Sequence, residues 1–322
     1  MKRLGITVYG CDPDEAEMFH ALAPGLGVVV TTTRAPASKT VIPVPGNHCV
    51  SVDHKTAISR PILRALKESG AAYISTRSIG LDHIDLAAAA ELGIRVGNVA
   101  YAPDGVADYA VMLILMAIRH AKDIVSAAGA QDFSLRSTRG RELRDLTVGV
   151  AGTGRIGQAM IDRLHGFGCR ILAHGNEPHA SATVSHVSRD ELLAQSDVVT
   201  LHLPLNAGTR HFIGPRQLDA MKSGAFLVNT GRGALVDTAA LVAALEGGRL
   251  AGAALDVIEG EEGIFYSDRT GRPIDHPFLP RLQAMPNVIV TPHTAYHTER
   301  VLHDAVHGTI LNCLNFAREA NP

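Results

Sequence analysis

The stretch Val148-Gly149-Val150-Ala151-Gly152-Thr153-Gly154-Arg155-Ile156-Gly157 narrows the choice of fold more than any other part of the chain. Small and β-branched residues run into a Gly-x-Gly-x-x-Gly turn, and Gln158-Ala159-Met160-Ile161 leaves it with helical character. Glycine lets the backbone turn this sharply and still bring bare amides against a pyrophosphate. A helix that follows aims its N-terminal N–H groups and positive dipole end at the same anion. Strand, turn and helix in this order separate a dinucleotide site from chance glycines. A bound nicotinamide or flavin dinucleotide is therefore expected, with Gly152, Gly154, Arg155, Ile156 and Gly157 at its pyrophosphate.

With 322 residues the chain is long enough for two domains. A net charge of −2 speaks against a nucleic-acid or anionic-membrane partner. The longest apolar run, 109–118, is too short to cross a bilayer, so no membrane is expected either. Met1-Lys2-Arg3 leads into a short strand, not the long apolar core of a secretion signal. Cys11, Cys49, Cys169 and Cys313 are scattered, as reduced thiols of a cytoplasmic protein would be.

Short strand-like segments alternate with helical ones, the pattern of parallel sheets with crossover helices. Strands are expected near 4–9, 27–32, 48–52, 71–75 and 94–98, with helices such as 61–69 and 86–92 closed by Gly70 and Gly93. A long helix over 103–128, opened by Pro103, is apolar almost all round. It is expected to be buried between domains or against a second subunit. After a charged connector at 136–144, strands near 147–151, 169–173, 197–201, 225–229, 251–255 and 287–290 make the six of a dinucleotide-binding domain. A last helix over 296–316 has no strand after it and is expected to return to the first domain. The fold class is α/β, two Rossmann-like doubly wound parallel-sheet domains with a cleft between them. The expected division is 1–100 plus 298–322 as substrate domain and 101–297 as dinucleotide-binding domain, the latter including the bridging, dimer-forming helix 103–128.

Three segments look out of place unless they serve a site. In Val228-Asn229-Thr230-Gly231-Arg232-Gly233 an arginine flanked by glycines follows a buried strand, where open α/β sheets bind ligands and a guanidinium could grip a carboxylate. Asp256, Glu259, Glu261 and Glu262 follow another strand, and His293 follows a third. Each alone reads equally as a surface loop. Together, a carboxylate that aims an imidazole and favours its charged form provides a general acid.

These motifs, in this order and spacing, resemble the D-isomer-specific 2-hydroxyacid dehydrogenase family over essentially the whole chain. The resemblance implies that Arg232 binds the substrate carboxylate and carbonyl, and that Glu261 pairs with His293, leaving Glu259 and Glu262 as bystanders. It also implies that Asp256 lies near the nicotinamide amide, and that Leu203, Pro204, Thr209, Thr230 and Gly231 line the cofactor. Backbone amides of Ser78, Ile79 and Gly80 would hold the substrate carboxylate, with Tyr101 and Tyr296 near its methyl end. Strings such as Thr76-Arg77-Ser78-Ile79-Gly80 and Phe265-Tyr266-Ser267-Asp268 are similar to the subgroup of D-lactate dehydrogenases that accompany vancomycin resistance. By that similarity pyruvate, or another small 2-keto acid, would be reduced to D-lactate for depsipeptide-ended cell-wall precursors by a homodimer. Glutamate at 261 argues against a formate dehydrogenase, which resembles this arrangement but has glutamine there.

The chain departs from the NAD pattern at one place. An acid that binds the ribose hydroxyls normally stands about 20 residues past the glycine turn, and here that place falls at Gly175. His174, Asn176 and His179 could donate to a 2′-phosphate, with Glu177 close by and no arginine adjacent to clamp it. NADPH is expected to be accepted, even preferred, with NADH still usable. His303 and His307 have the spacing of a metal pair but no evident third ligand, so no metal is expected. Two rival readings stand beside this one: another 2-keto acid reductase of the family, acting on glyoxylate, hydroxypyruvate or a branched-chain acid, and a non-catalytic NAD(P)-sensing protein.

Overall fold

The computed structural model describes residues 3–38, 46–135, 139–176 and 183–320. The chain divides into two compact units, Met1–Ala102 with His297–Pro322, and Pro103–Tyr296. The first unit alternates β1 (Leu4–Val8), α1 (Pro13–Leu22), β2 (Val28–Thr32), β3 (Cys49–Val52), α2 (Arg60–Glu68), β4 (Tyr73–Thr76), α3 (Leu86–Glu91) and β5 (Arg95–Asn98). Its five parallel strands lie in the order β2-β1-β3-β4-β5. Parallel neighbours need crossovers, which the helices supply, and strands β3 and β4 are buried at every position.

The second unit opens with α4 (Asp104–Ile118) and α5 (Ala121–Gly129). Then come β6 (Thr147–Ala151), α6 (Arg155–His165), β7 (Arg170–His174), β8 (Val184–His186), α7 (Arg189–Gln195) and β9 (Val198–Leu201). The sequence continues through α8 (Pro215–Ala220), β10 (Ala225–Asn229), α9 (Thr238–Glu246), β11 (Leu250–Leu255), α10 (Leu279–Ala284) and β12 (Val288–Val290). All seven strands are parallel, in the order β12-β11-β10-β9-β6-β7-β8. From β6 the chain steps outward to β8, then returns to lay β9 on the other side of β6. That reversal opens a crevice outside the carboxyl ends of β6 and β9, where such sheets bind ligands.

After the second unit, α11 (Glu299–Ala320) joins the first. Its Val306, Ile310 and Cys313 enter one apolar cluster with Ile6, Val8 and Phe19. Phe316 stacks on Tyr73 with ring centroids 4.9 Å apart, and the Arg95 guanidinium lies 5.1 Å from the Phe316 centroid.

Several expectations need correction. The helix expected over 103–128 is two helices, because His120 takes a left-handed backbone conformation (φ 53°) between α4 and α5. Its burial is also uneven. On α4, Ala107, Ala110, Leu113 and Ile114 are fully buried, whereas Ile124 and Val125 of α5 are 50% and 69% exposed. The second sheet has a seventh strand, β8, an edge strand of three residues too short to announce itself by pattern. The last helix runs over Glu299–Ala320, not 296–316. Of the 136–144 connector, 136–138 lie outside the described residues, and Leu143–Asp145 forms a single 3-10 turn.

Asp197 ties the entry of this sheet together. Its carboxylate accepts from the Thr147 N–H (2.9 Å), the Lys222 ammonium (2.7 Å) and the Arg141 guanidinium (3.1 Å). Burial pushes this carboxyl up, but Lys222, the Thr147 N–H and Arg141 together outweigh it and hold the group below its ordinary value. A depressed folded-state pKa contributes stability that is present above the unfolded value, near 3.9, and lost as pH falls through the folded one. Asp197→Asn should therefore cost about 1–3 kcal/mol at neutral pH. The deficit should shrink below about pH 4, as thermal denaturation across pH will show.

Candidate active site

Strands β10, β11 and β12 end flush, since Asn229 pairs with Leu255 and Leu255 with Val290. The loops leaving those ends carry Arg232, Glu261 and His293, so the sheet register gathers them on one edge. His293 donates from Nδ1 to Glu261 Oε1 at 2.6 Å, and both side chains are largely buried. The second glutamate oxygen accepts the Ile258 N–H at 2.7 Å, which fixes the carboxylate in its own loop. With Nδ1 engaged in this way, Nε2 is the nitrogen assigned to chemistry. Glu259 turns elsewhere, pairing with Arg210 and with His211 at 3.0 Å, and Glu262 is exposed.

Arg232 is half-buried, with Nη1 donating to the Gly231 carbonyl at 2.9 Å. Asn229 braces the loop from within: its Nδ2 donates to the Arg232 carbonyl (2.9 Å) and its Oδ1 accepts the Gly231 N–H (3.0 Å). Gly233 presses against the Ile258–Glu259 peptide, where an added Cβ would come within 2.1 Å of the Ile258 carbonyl carbon. That contact sets the arginine loop directly against the glutamate loop.

His293 has a left-handed backbone (φ 56°), a conformation a non-glycine residue adopts only when its surroundings impose it. Asp256 does much of the imposing. Its carbonyl accepts the His293 N–H (2.7 Å), and its fully buried carboxylate accepts from Thr291 Oγ1 (2.6 Å), Thr294 N–H (2.9 Å) and Ala295 N–H (2.8 Å). Tyr266 adds a hydroxyl donated to the His293 carbonyl at 3.1 Å, while Tyr296 meets the imidazole edge to face at 6.0 Å. Burial among these groups, with Tyr296 and Glu261 beside it, holds the Tyr266 phenol protonated far above its usual range. Tyr266 sits in a string noted above only as a likeness; its place in a loop gives no periodic signal of a role.

The crevice at the sheet reversal holds a groove of about 710 Å³ lined by Gly152, Thr153, Gly154, Leu203, Pro204 and Thr209, among others. Gly152 (φ 100°) has no room for a Cβ against the His202 carbonyl at 2.5 Å, and Gly157 none against the Gly152 carbonyl at 1.8 Å. At Gly154, by contrast, nothing lies within 4 Å of a built Cβ, so the backbone there is open to a ligand. Arg155 and Ile156 open α6, the first exposed and the second half-buried. The Thr209 hydroxyl donates to the Pro204 carbonyl (2.6 Å) and shapes the 203–209 loop. Burial pushes the His202 imidazole down to about 4, so it is neutral at physiological pH. Its Nδ1 and Thr230 Oγ1 are buried and find no partner among the described residues. A glycine cradle of this shape, with orphaned polar atoms near it, fits a dinucleotide.

Gly175 also lines the groove, beside His174 and Asn176, while Glu177 and His179 lie outside the described residues. A Cβ at Gly175 would stand 2.2 Å from Thr153 Oγ1 and 2.7 Å from the Thr153 nitrogen. No carboxylate fits there without moving backbone. The absence of a nearby arginine holds along the sequence but not in space, because Arg189 lines the same groove.

In the first unit, Ser78, Ile79 and Gly80 follow β4 in a turn whose carbonyls are all taken. Val99 N–H bonds to Ser78 O (3.2 Å), Asn98 Nδ2 to Ile79 O (2.7 Å) and Ser78 Oγ to Gly80 O (2.8 Å). Arg77, its side chain 2% exposed, anchors the turn through Glu15 (2.9 Å), Ser51 Oγ (3.0 Å) and the Tyr9 and Gly10 carbonyls (2.9 and 2.8 Å). Tyr101 is buried in the same unit. Among the described residues no group of three or more His, Cys, Asp or Glu could hold a metal ion. His303 and His307 stack on each other at 5.7 Å.

A doubly wound sheet with a glycine cradle at its reversal and an imidazole–carboxylate pair on its edge defines an α/β dehydrogenase. Residues 111–295 match the NAD-binding domain of the D-isomer-specific 2-hydroxyacid dehydrogenases. A D-specific alpha-keto acid dehydrogenase of Enterococcus faecium is 58% identical over 99% of this chain and 98% of its own. The structure of a D-2-hydroxyisocaproate dehydrogenase superposes with a TM-score of 0.86 at 30% identity, covering 99% of this chain and 98% of that one. The NAD-complexed D-isomer-specific 2-hydroxyacid dehydrogenase of Lactobacillus delbrueckii ssp. bulgaricus gives 0.83 at 29% identity, covering 99% and 98%. The chain belongs to the D-isomer-specific 2-hydroxyacid dehydrogenase family, and it is an oxidoreductase.

Proposed function

We propose that this enzyme reduces pyruvate, or a similarly small 2-keto acid, to the D-2-hydroxy acid with NADPH or NADH. The observation that carries the reading is the 2.6 Å contact of His293 with Glu261, on the sheet edge that also bears Arg232. Bound at the groove, the reduced nicotinamide supplies hydride to the keto carbon. Arg232 grips the substrate carboxylate and polarises the carbonyl. His293 gives its Nε2 proton to the carbonyl oxygen, and Glu261 holds the imidazolium in place before that transfer. Asp256, Gly231 and Thr230 keep the cofactor roles that family likeness implies. Ser78, Ile79, Gly80, Tyr101 and Tyr296 enter as substrate contacts on the same ground.

The absence of room for an acid at Gly175 supports NADPH as an accepted and even preferred cofactor. Gly175→Asp should then fail to create an NADH-specific enzyme. Its Cβ collides with Thr153 backbone, so the expected result is a loss of about 1–3 kcal/mol in stability and weaker binding of both cofactors. Thermal denaturation with paired KM values measures this.

A homodimer, with a second copy covering the exposed Ile124 and Val125 of α5, accounts for that apolar face. Light scattering on the purified protein tests it. Four free cysteines support a cytoplasmic setting. D-lactate made there would serve cell-wall precursors ending in a depsipeptide, which vancomycin binds poorly. Cofactor oxidation with pyruvate, glyoxylate, hydroxypyruvate and 2-ketoisocaproate, followed by chiral analysis of the product, tests the whole reading. Best turnover on 2-ketoisocaproate would favour the branched-chain alternative that likeness to the isocaproate enzyme raises. No turnover on any of them would leave the non-catalytic sensor.

A further inference from the structure

The groove beside Gly175 has a wall that the glycine turn does not build. Phe212 presents a ring there with the His174 imidazole 6.1 Å from it at 29° and the Arg189 guanidinium 5.6 Å from its centroid. One apolar plate thus braces two side chains that can carry positive charge. His174 is oriented further by Nδ1, which lies 3.1 Å from the Val187 carbonyl. Among the described residues Arg189 pairs with one acid, Asp190, through Nε at a long 3.5 Å, and that carboxylate is 83% exposed. An ion pair so solvated is weak and leaves most of the guanidinium's five N–H donors uncommitted by it. Asp190 is the one acid among the described residues lining the groove, and Gly175 admits no other.

We propose that Arg189, seconded by His174, is the subsite for the 2′-phosphate of NADPH. The inference rests on the reading that NADPH is accepted, and it assigns the guanidinium that the neighbourhood of Gly175 lacks along the chain. A planar fork matches a phosphate with two parallel hydrogen bonds. Stacking on Phe212 restrains the fork beforehand, which lowers the entropy lost when phosphate binds. Partial neutralisation by Asp190 keeps the preference moderate, consistent with continued use of NADH.

The test pairs kinetics with binding of cofactor fragments to the full chain. For Arg189→Gln, kcat/KM with NADPH and calorimetric affinity for 2′,5′-ADP should each fall about 10-fold, the scale of one charge-assisted contact. NADH kinetics and 5′-AMP affinity should stay within about 2-fold, and Arg189→Lys should recover part of the loss. Unchanged 2′,5′-ADP affinity in Arg189→Gln would overturn the assignment while leaving NADPH use intact. Equal losses for 2′,5′-ADP and 5′-AMP would overturn it as well, by showing that Arg189 only shapes the groove. Wild-type protein that binds 2′,5′-ADP no better than 5′-AMP would remove the NADPH reading itself, and Arg189 would have no phosphate to hold.

Discussion

His293→Ala should lower kcat by about 10²–10⁴-fold, the range a positioned general acid contributes. The substitution takes away the imidazole that donates the proton and, among the described residues, leaves the Glu261 carboxylate with the Ile258 N–H alone. Because the groove at Gly152 and Gly154 is built by other strands, cofactor affinity should stay within about 2-fold, as fluorescence titration can measure. The left-handed backbone at His293 (φ 56°) adds a control. Asparagine tolerates that conformation well, so His293→Asn should keep the loop's shape while still losing the acid. Comparable losses in both variants would assign the effect to proton transfer and not to collapse of the loop. Retained turnover in either would mean that another group donates the proton.

Arg232→Lys should cost about 10²-fold in kcat/KM for the keto acid, and Arg232→Ala more. A lysine keeps the charge but cannot hold a carboxylate and a carbonyl oxygen with one rigid fork. Asn229 supports this loop through backbone atoms, so neither change should disturb the fold, and the melting temperature should move little. The loss should appear in KM and in kcat together, since the same guanidinium binds the substrate and polarises it. Unaltered KM and kcat in Arg232→Lys would take Arg232 out of the substrate site.

Much of this architecture was legible in the residues because parallel sheets write a strong signature. Runs such as 147–151 and 225–229 are buried almost throughout and lead into glycine-rich turns, so strand positions could be read to within a residue or two. The pairing of Glu261 with His293 came from spacing within a resemblance, and the contact is present at 2.6 Å. What escaped was tertiary in origin. Nothing local marks His120 as the break between α4 and α5; its ring meets that of Phe226, more than a hundred positions on, with centroids 6.3 Å apart. Arg189 follows a different strand from Gly175, and only the winding of the sheet brings the two to one groove. Tyr266 and Gly233 likewise act through neighbours distant in sequence, on His293 and on Ile258.

The placement of α11 has a consequence for how the protein is made. Strands β1 to β5 leave the ribosome long before the helix whose Val306, Ile310 and Cys313 close over Ile6, Val8 and Phe19. During that interval α1 covers that flank of the earliest-made sheet only in part, a state that invites capture by chaperones or by other nascent chains. The segment synthesised in between buries its apolar side chains among its own residues, so its core does not wait for α11.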